Sequence, residues 1–243
     1  MPDSEEIILK TPLIPDGETM KFRIIKQETD EVIGYRTHLV NRISEDGKDY
    51  YKVHLKTESI DGEVTEETSF MEMAEILKPI SRHTITKRED GKMRSDVKIN
   101  YEGMDMPSNC CASPGAMSLY LRGGPFDPKS KVSLNIIMMD RTFKLNATTA
   151  KGKETITVPA GTFECYKVEW TPDIGSLMDQ LPAGFNFPQA FYSLAERLAS
   201  RFIPSVFYWY STKAPHCPIR YEGVEPSSFS TGEPIIEELI GIE

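Results

Sequence analysis

The chain has 243 residues, 39% of them apolar and 27% charged, with 28 basic against 37 acidic side chains and a net charge of −9. That length suits one all-β domain, or one domain with appendages, and the content of Phe, Tyr and Ile excludes a disordered chain. The acidic balance repels nucleic-acid phosphates and anionic lipid unless a local basic patch reverses it. No window approaches 18 consecutive apolar residues, so no transmembrane helix is expected. The opening MPDSEEIILK carries acidic residues where a secretion leader carries a basic and then an apolar region.

Residues 17–101 read as a meander. Met20, Phe22 and Ile24 alternate with Lys21 and Arg23, the period of a half-buried strand. A second run, 32–43, ends at Asp46-Gly47, and Tyr51, Val53 and Leu55 then alternate with Lys52, His54 and Lys56. Asp61-Gly62 and Asp90-Gly91 repeat the signal, since Asp-Gly supplies the positive φ of a tight hairpin. Residues 102–130 are rich in Pro and Gly and read as the main loop region, with one short apolar piece, 117–121, able to form a helical turn. Strands resume at 132–139, 142–149, 155–158 and 163–170, and again at 206–211, 219–224 and 233–242.

Between them, over 171–204, the period changes. Ile174, Leu177, Met178 and Leu181 fall at helical spacing, and Ala190, Phe191, Leu194, Leu198 and Phe202 form a second stripe. Pro188 suits a first helical turn and Pro204 a stop, which predicts an αα insert with helix over 188–202. The expected architecture is therefore a single mainly β domain over 1–243. It is a strongly curved antiparallel sheet, or half-barrel, with the insert as a lid on its concave face.

Motifs for chemistry are incomplete. His216 and Cys217 are neighbours in sequence, but adjacent side chains on an extended segment point apart, so adjacency alone makes no nucleophile-base pair. Cys110-Cys111 lacks the C-x₂-C spacing of zinc sites, and no G-x-S-x-G elbow or phosphate loop occurs. Glu63, Glu66, Glu67, Glu72 and Glu75 read as a solvated strand face. No catalytic residue, metal site or cofactor is expected. In an oxidising compartment Cys217 could pair with Cys165 or with one of Cys110 and Cys111.

Apolar surface remains. The insert carries Phe185, Phe187 and Phe191, and the flanking strands add Trp170, Phe207 and Trp209. With 11 Met in the chain, these rings suit either an ordinary core or the wall of a pocket for an apolar ligand under the lid.

The segments TITVPAGTFECYKVEW, 155–170, and VFYWYSTKAPHCPIRYEG, 206–223, resemble an uncharacterised family of bacterial envelope proteins similar to the half-barrel lipoprotein carriers LolA and LolB. PDGETMKFRI, SLYLRGG and a last strand with EEL follow the same pattern more loosely. The resemblance implies a curved sheet with helices on its concave face, a periplasmic or cell-envelope location and no enzymatic activity; the composition itself leaves a cytoplasmic location open. The expected function is a non-enzymatic envelope protein that binds an apolar small molecule, a lipid or a lipid-linked partner between sheet and lid. The alternative is a structural or interaction module with a filled core that docks another envelope protein.

Overall fold

The computed structural model describes residues 7–111, 113–138, 141–173, 206–224 and 233–243. The predicted meander is present. Strands β1 (Glu18–Lys26), β2 (Val32–Glu45), β3 (Lys48–Ser59), β4 (Val64–Met73), β5 (Leu77–Lys87) and β6 (Met93–Asn100) pair antiparallel in succession. At the β2–β3 turn Asp46 and Gly47 both take positive φ, 50° and 75°, the mirror-image turn whose twist matches its strands.

The second half contributes β7 (Cys110–Cys111), the short helix α1 (Met117–Tyr120), β8 (Lys131–Met138), β9 (Arg141–Thr149), β10 (Glu154–Val158) and β11 (Gly161–Pro172). It continues with β12 (Val206–Ser211), β13 (Pro218–Val224) and β14 (Pro234–Ile242). The strands form one sheet in the order β6-β5-β4-β3-β2-β1-β14-β13-β12-β11-β9-β8-β7, with β10 added on β11. Pairing is antiparallel except between β7 and β8. β14 joins the halves by pairing with β1 on one side and β13 on the other.

A sheet this wide must curl. Its two ends approach where Tyr101, Cys110 and Ile137 pack with Ile99 and Met106. Among the described residues β6 and β7 do not pair, so the sheet stays open rather than closing into a barrel.

The expected lid over 171–204 needs correction at its start. Thr171 and Pro172 continue β11, paired with Asn146 and Leu145 of β9. The rest of the insert, from residue 174, lies outside the described residues. Among the described residues, the concave face is filled by two segments, one from the 102–130 region that composition marks as loop and one from the start of the chain. The first is the plug, residues 113–124, in which α1 is flanked by 3₁₀ turns and Met117, Leu119, Tyr120 and Leu121 are buried against Val53, Leu55, Leu134 and the other inward strand residues. Short runs of Leu, Met and Tyr bury well even where Pro and Gly forbid a long helix.

The second is a strap, residues 7–16, that crosses the plug. Asn109 Oδ1 accepts from the Leu9 N–H at 2.8 Å, and its amide donates to the Ile7 and Ser133 carbonyls at 2.7 and 3.0 Å. The Ile14 N–H donates to the Tyr51 hydroxyl at 2.9 Å, which in turn donates to the Pro12 carbonyl at 2.8 Å. The fit is close enough that a Cβ on Gly123 would stand 1.8 Å from the Lys10 carbonyl oxygen.

Arg122 ends the plug inside the protein, its side chain fully covered. It donates to both carboxylate oxygens of buried Glu18, one at 2.9 Å, and to the Pro215 carbonyl at 2.8 Å. Removing one partner of such a pair strands the other charge. Arg122→Met should therefore lower unfolding stability by about 3–5 kcal/mol, and adding Glu18→Leu should restore much of that loss. Urea unfolding of the three proteins measures both effects.

Candidate functional site

The interior between plug and sheet is polar on one side. β2 alternation turns Arg36 and His38 inward, next to Phe22 of β1 and Glu237 of β14. Arg36 pairs with the buried Glu237 carboxylate and donates from Nε to Thr57 Oγ1 at 2.9 Å. With Ser118, Tyr208 and Tyr221, these side chains border a space of about 20 Å³, enough for about one water molecule. A second space, beside Leu121, Phe126 and Val132, measures about 10 Å³.

His38 Nδ1 and Ser118 Oγ are both buried without a protein partner and border this region. Burial, with Arg36 and Arg122 nearby, lowers the His38 pKa to about 3, so the ring is neutral at physiological pH. Nearby, Glu67 corrects the solvated-face reading of its carboxylate run. Its parity with Ser69 and Met71 turns it inward, where it accepts from Ser113 Oγ and, at 3.2 Å, from Thr84 Oγ1.

The other sequence candidates are dispersed. Trp170 is buried on the inner face, paired across β11–β12 with Val206. Phe207 and Trp209 point to the outer face, ring centroids 6.2 Å apart, with the Lys167 ammonium 4.6 and 4.8 Å from them. Trp209 also donates from Nε1 to Glu154 at 2.7 Å. Trp170 is thus separated from Phe207 and Trp209 by the thickness of the sheet. Phe185, Phe187 and Phe191 lie outside the described residues.

His216 and Cys217 diverge. The imidazole lies 2.9 Å from the Ser211 carbonyl and tilts against Phe126, while the thiol sits beside Arg122 and Glu18 at 3.6 and 3.7 Å. The four cysteines are unpaired and buried. Burial raises Cys217 to about 11 and Cys110 and Cys165 to about 12, which leaves each a neutral, weakly nucleophilic thiol. Among the described residues no three metal-ligating side chains converge.

Outside, β3–β6 form a dished surface. Lys52, Phe70, Ser81 and Asn100 lie in one cross-strand row and His54, Thr68, His83 and Lys98 in the next. The groove there has a volume of about 580 Å³. Sequence reading missed this surface because its residues are scattered over 49 positions, from Lys52 to Asn100; only the register of four strands assembles it.

An open antiparallel sheet wrapped on an internal plug thus defines the class of the protein. The chain belongs to the DUF3108-like family, whose model matches residues 24–183. Among curated proteins none matches it. Solved structures similar to it include a β-barrel-like protein of domain of unknown function DUF1849 from Brucella abortus, 9% identical, covering 98% of this chain and 99% of that one with a TM-score of 0.48. A "putative lipoprotein" from Parabacteroides distasonis is 11% identical, covering 98% and 100% with a TM-score of 0.40. A "putative exported protein with YmcC-like fold" from Bacteroides fragilis is 10% identical, with the same coverage and TM-score.

The depressed pKa of His38 has a consequence for stability. The unfolded chain binds a proton at the ordinary value of 6.5 while the folded chain refuses it until about 3, so stability falls as pH drops through that window. Between pH 7 and pH 5 the loss from this group is about 2 kcal/mol. Denaturant unfolding at the two pH values should show His38→Gln losing about that much less than the parent.

Proposed function

We propose that this chain is a non-enzymatic cell-envelope protein that works as an interaction module, with its interior serving as structural core. The observation that carries this reading is that, among the described residues, the plug and the strap fill the concave face. The spaces between plug and sheet, about 20 and 10 Å³, compare with the several hundred Å³ that an apolar ligand needs. The envelope location rests on the resemblance of segments 155–170 and 206–223. A binding role rather than a catalytic one is supported by the interior chemistry: neutral thiols, a neutral imidazole, and carboxylates already paired with arginine or hydroxyl groups.

The docking element of this reading is β6. It ends the sheet, and its outer edge takes no strand among the described residues. Its Met93 and Val97 are 58% and 44% exposed, unusual for large apolar residues on a free edge. An extended segment of a partner protein can add to such an edge through main-chain hydrogen bonds, with these side chains giving selectivity.

A photo-crosslinking residue placed at Val97 in the protein's own host should yield one discrete adduct, and one at exposed Tyr35 should yield none. In parallel, a fluorescent fatty acid should show no saturable binding to the purified protein. Stoichiometric, saturable fatty-acid binding without a Val97 adduct would instead establish the carrier function.

A further inference from the structure

The chain carries a net charge of −9, yet the lining of the groove on the outer face of β3–β6 includes Lys52, His83 and Lys98. In register, Lys52 of β3 stands opposite Phe70 of β4, Phe70 opposite Ser81 of β5, and Ser81 opposite Asn100 of β6; one row on, His83 stands opposite Lys98. An irregularity in the β4–β5 register after Phe70 bends the sheet here, and all six residues line the groove of about 580 Å³. Glu102 is the one carboxylate in that described lining. Asp96, two residues before Lys98 on β6, lies 2.8 Å from the His83 imidazole.

The Lys52 ammonium lies 5.8 Å from the centre of the Phe70 ring. Among the described residues neither Lys52 nor Lys98 forms an ion pair. Both ammonium charges are thus available to a ligand, although the surrounding protein is acidic.

We propose that this groove binds an organic phosphate. Ammonium groups act as strong point charges toward phosphate. Ser81 and Asn100 add short hydrogen-bond donors, and Phe70 supplies an apolar floor between them. Lys52 and Lys98 stand on strands three steps apart, about 14 Å between backbones at the usual strand spacing, and their long side chains can turn inward from opposite sides onto a ligand the size of a small organic phosphate. The groove volume matches that size of ligand. The phosphate can belong to a soluble phosphoester or to a lipid headgroup, and the site chemistry is the same for both.

The test is a titration of the full chain with two probes. One is phenyl phosphate, with benzyl alcohol as its uncharged control; the other is phosphatidylcholine vesicles containing about one-fifth phosphatidic acid, with pure phosphatidylcholine as control. Saturable binding of either charged probe is expected, weakening with salt and falling about tenfold or more in Lys52→Glu/Lys98→Glu. The double variant Lys52→Arg/Lys98→Arg should retain binding, and Lys151→Glu, an exposed change in the β9–β10 turn, should alter it by less than about twofold. Binding of phenyl phosphate assigns the site to soluble phosphoesters, and binding of the vesicles alone assigns it to lipid headgroups. Absence of saturation by both probes, or equal losses in the Lys151 and Lys52/Lys98 variants with all proteins folded by circular dichroism, overturns the proposal.

Discussion

The structure depends on one requirement: a wide, curled sheet has a concave face that must be covered, and this chain covers it with its own residues 113–124. That plug brings a guanidinium inside. An unpaired Arg122 in the core would be prohibitive, so the plug is compatible with the sheet only where Glu18 of β1 and the Pro215 carbonyl of the β12–β13 loop meet it. Those partners are 104 and 93 residues away in sequence. One side chain therefore ties the start of the meander, the plug and the C-terminal hairpin into a single arrangement. A plug shifted by one residue would leave two charges buried without partners. Packing alone tolerates such shifts; a buried pair of fixed geometry does not.

Local chemistry in the sequence goes far toward this fold. Alternation and Asp-Gly turns locate β1 to β6 to within a few residues, and the turn expected over residues 159–162 is shorter than its residue types imply, because Gly161 and Thr162 already pair with Val158 and Thr157 and leave only Pro159-Ala160 between β10 and β11. What escapes is non-local. Nothing in residues 234–242 says that they pair with β1 as well as β13, because closure of a sheet is decided by which edges remain free, not by the strand itself. The plug escapes for a different reason: Pro and Gly density is a sound signal for irregular backbone and says nothing of burial. The candidate aromatics show a third limit. In the run VFYWYS the apolar side chains fall on both faces and all but Phe207 are buried, so alternation is invisible, and only pairing reveals that Tyr208 shares the face of Val168 while Phe207 and the covered Trp209 share the opposite face with Lys167.

The inner face divides along the sheet. Under β1, β2 and β14 it holds Phe22, Ile24, Val40 and Leu239, together with the Arg36–Glu237 pair. Toward β4 and β5 it becomes hydroxyl-rich, with Thr65 bonded to Thr86 at 3.1 Å and Thr84 to Glu67 at 3.2 Å. Threonine keeps the β-branched fit to a pleated strand without needing a dry environment. This part of the sheet is consequently held by its ladder and by cross-strand polar pairs rather than by burial.

That difference bears on where function can reside. Residues that face the plug are constrained on every side, and a change in volume or charge there is felt by the whole core. β6 is constrained only by β5, and most of its side chains contact solvent. The outer sides of β3 to β5 are similarly free to carry lysine, histidine or phenylalanine without disturbing what lies behind them. Among the described residues the plug and the strap occupy the inner face, and both the free edge of β6 and the groove beside it lie on the part of the sheet that depends least on that core.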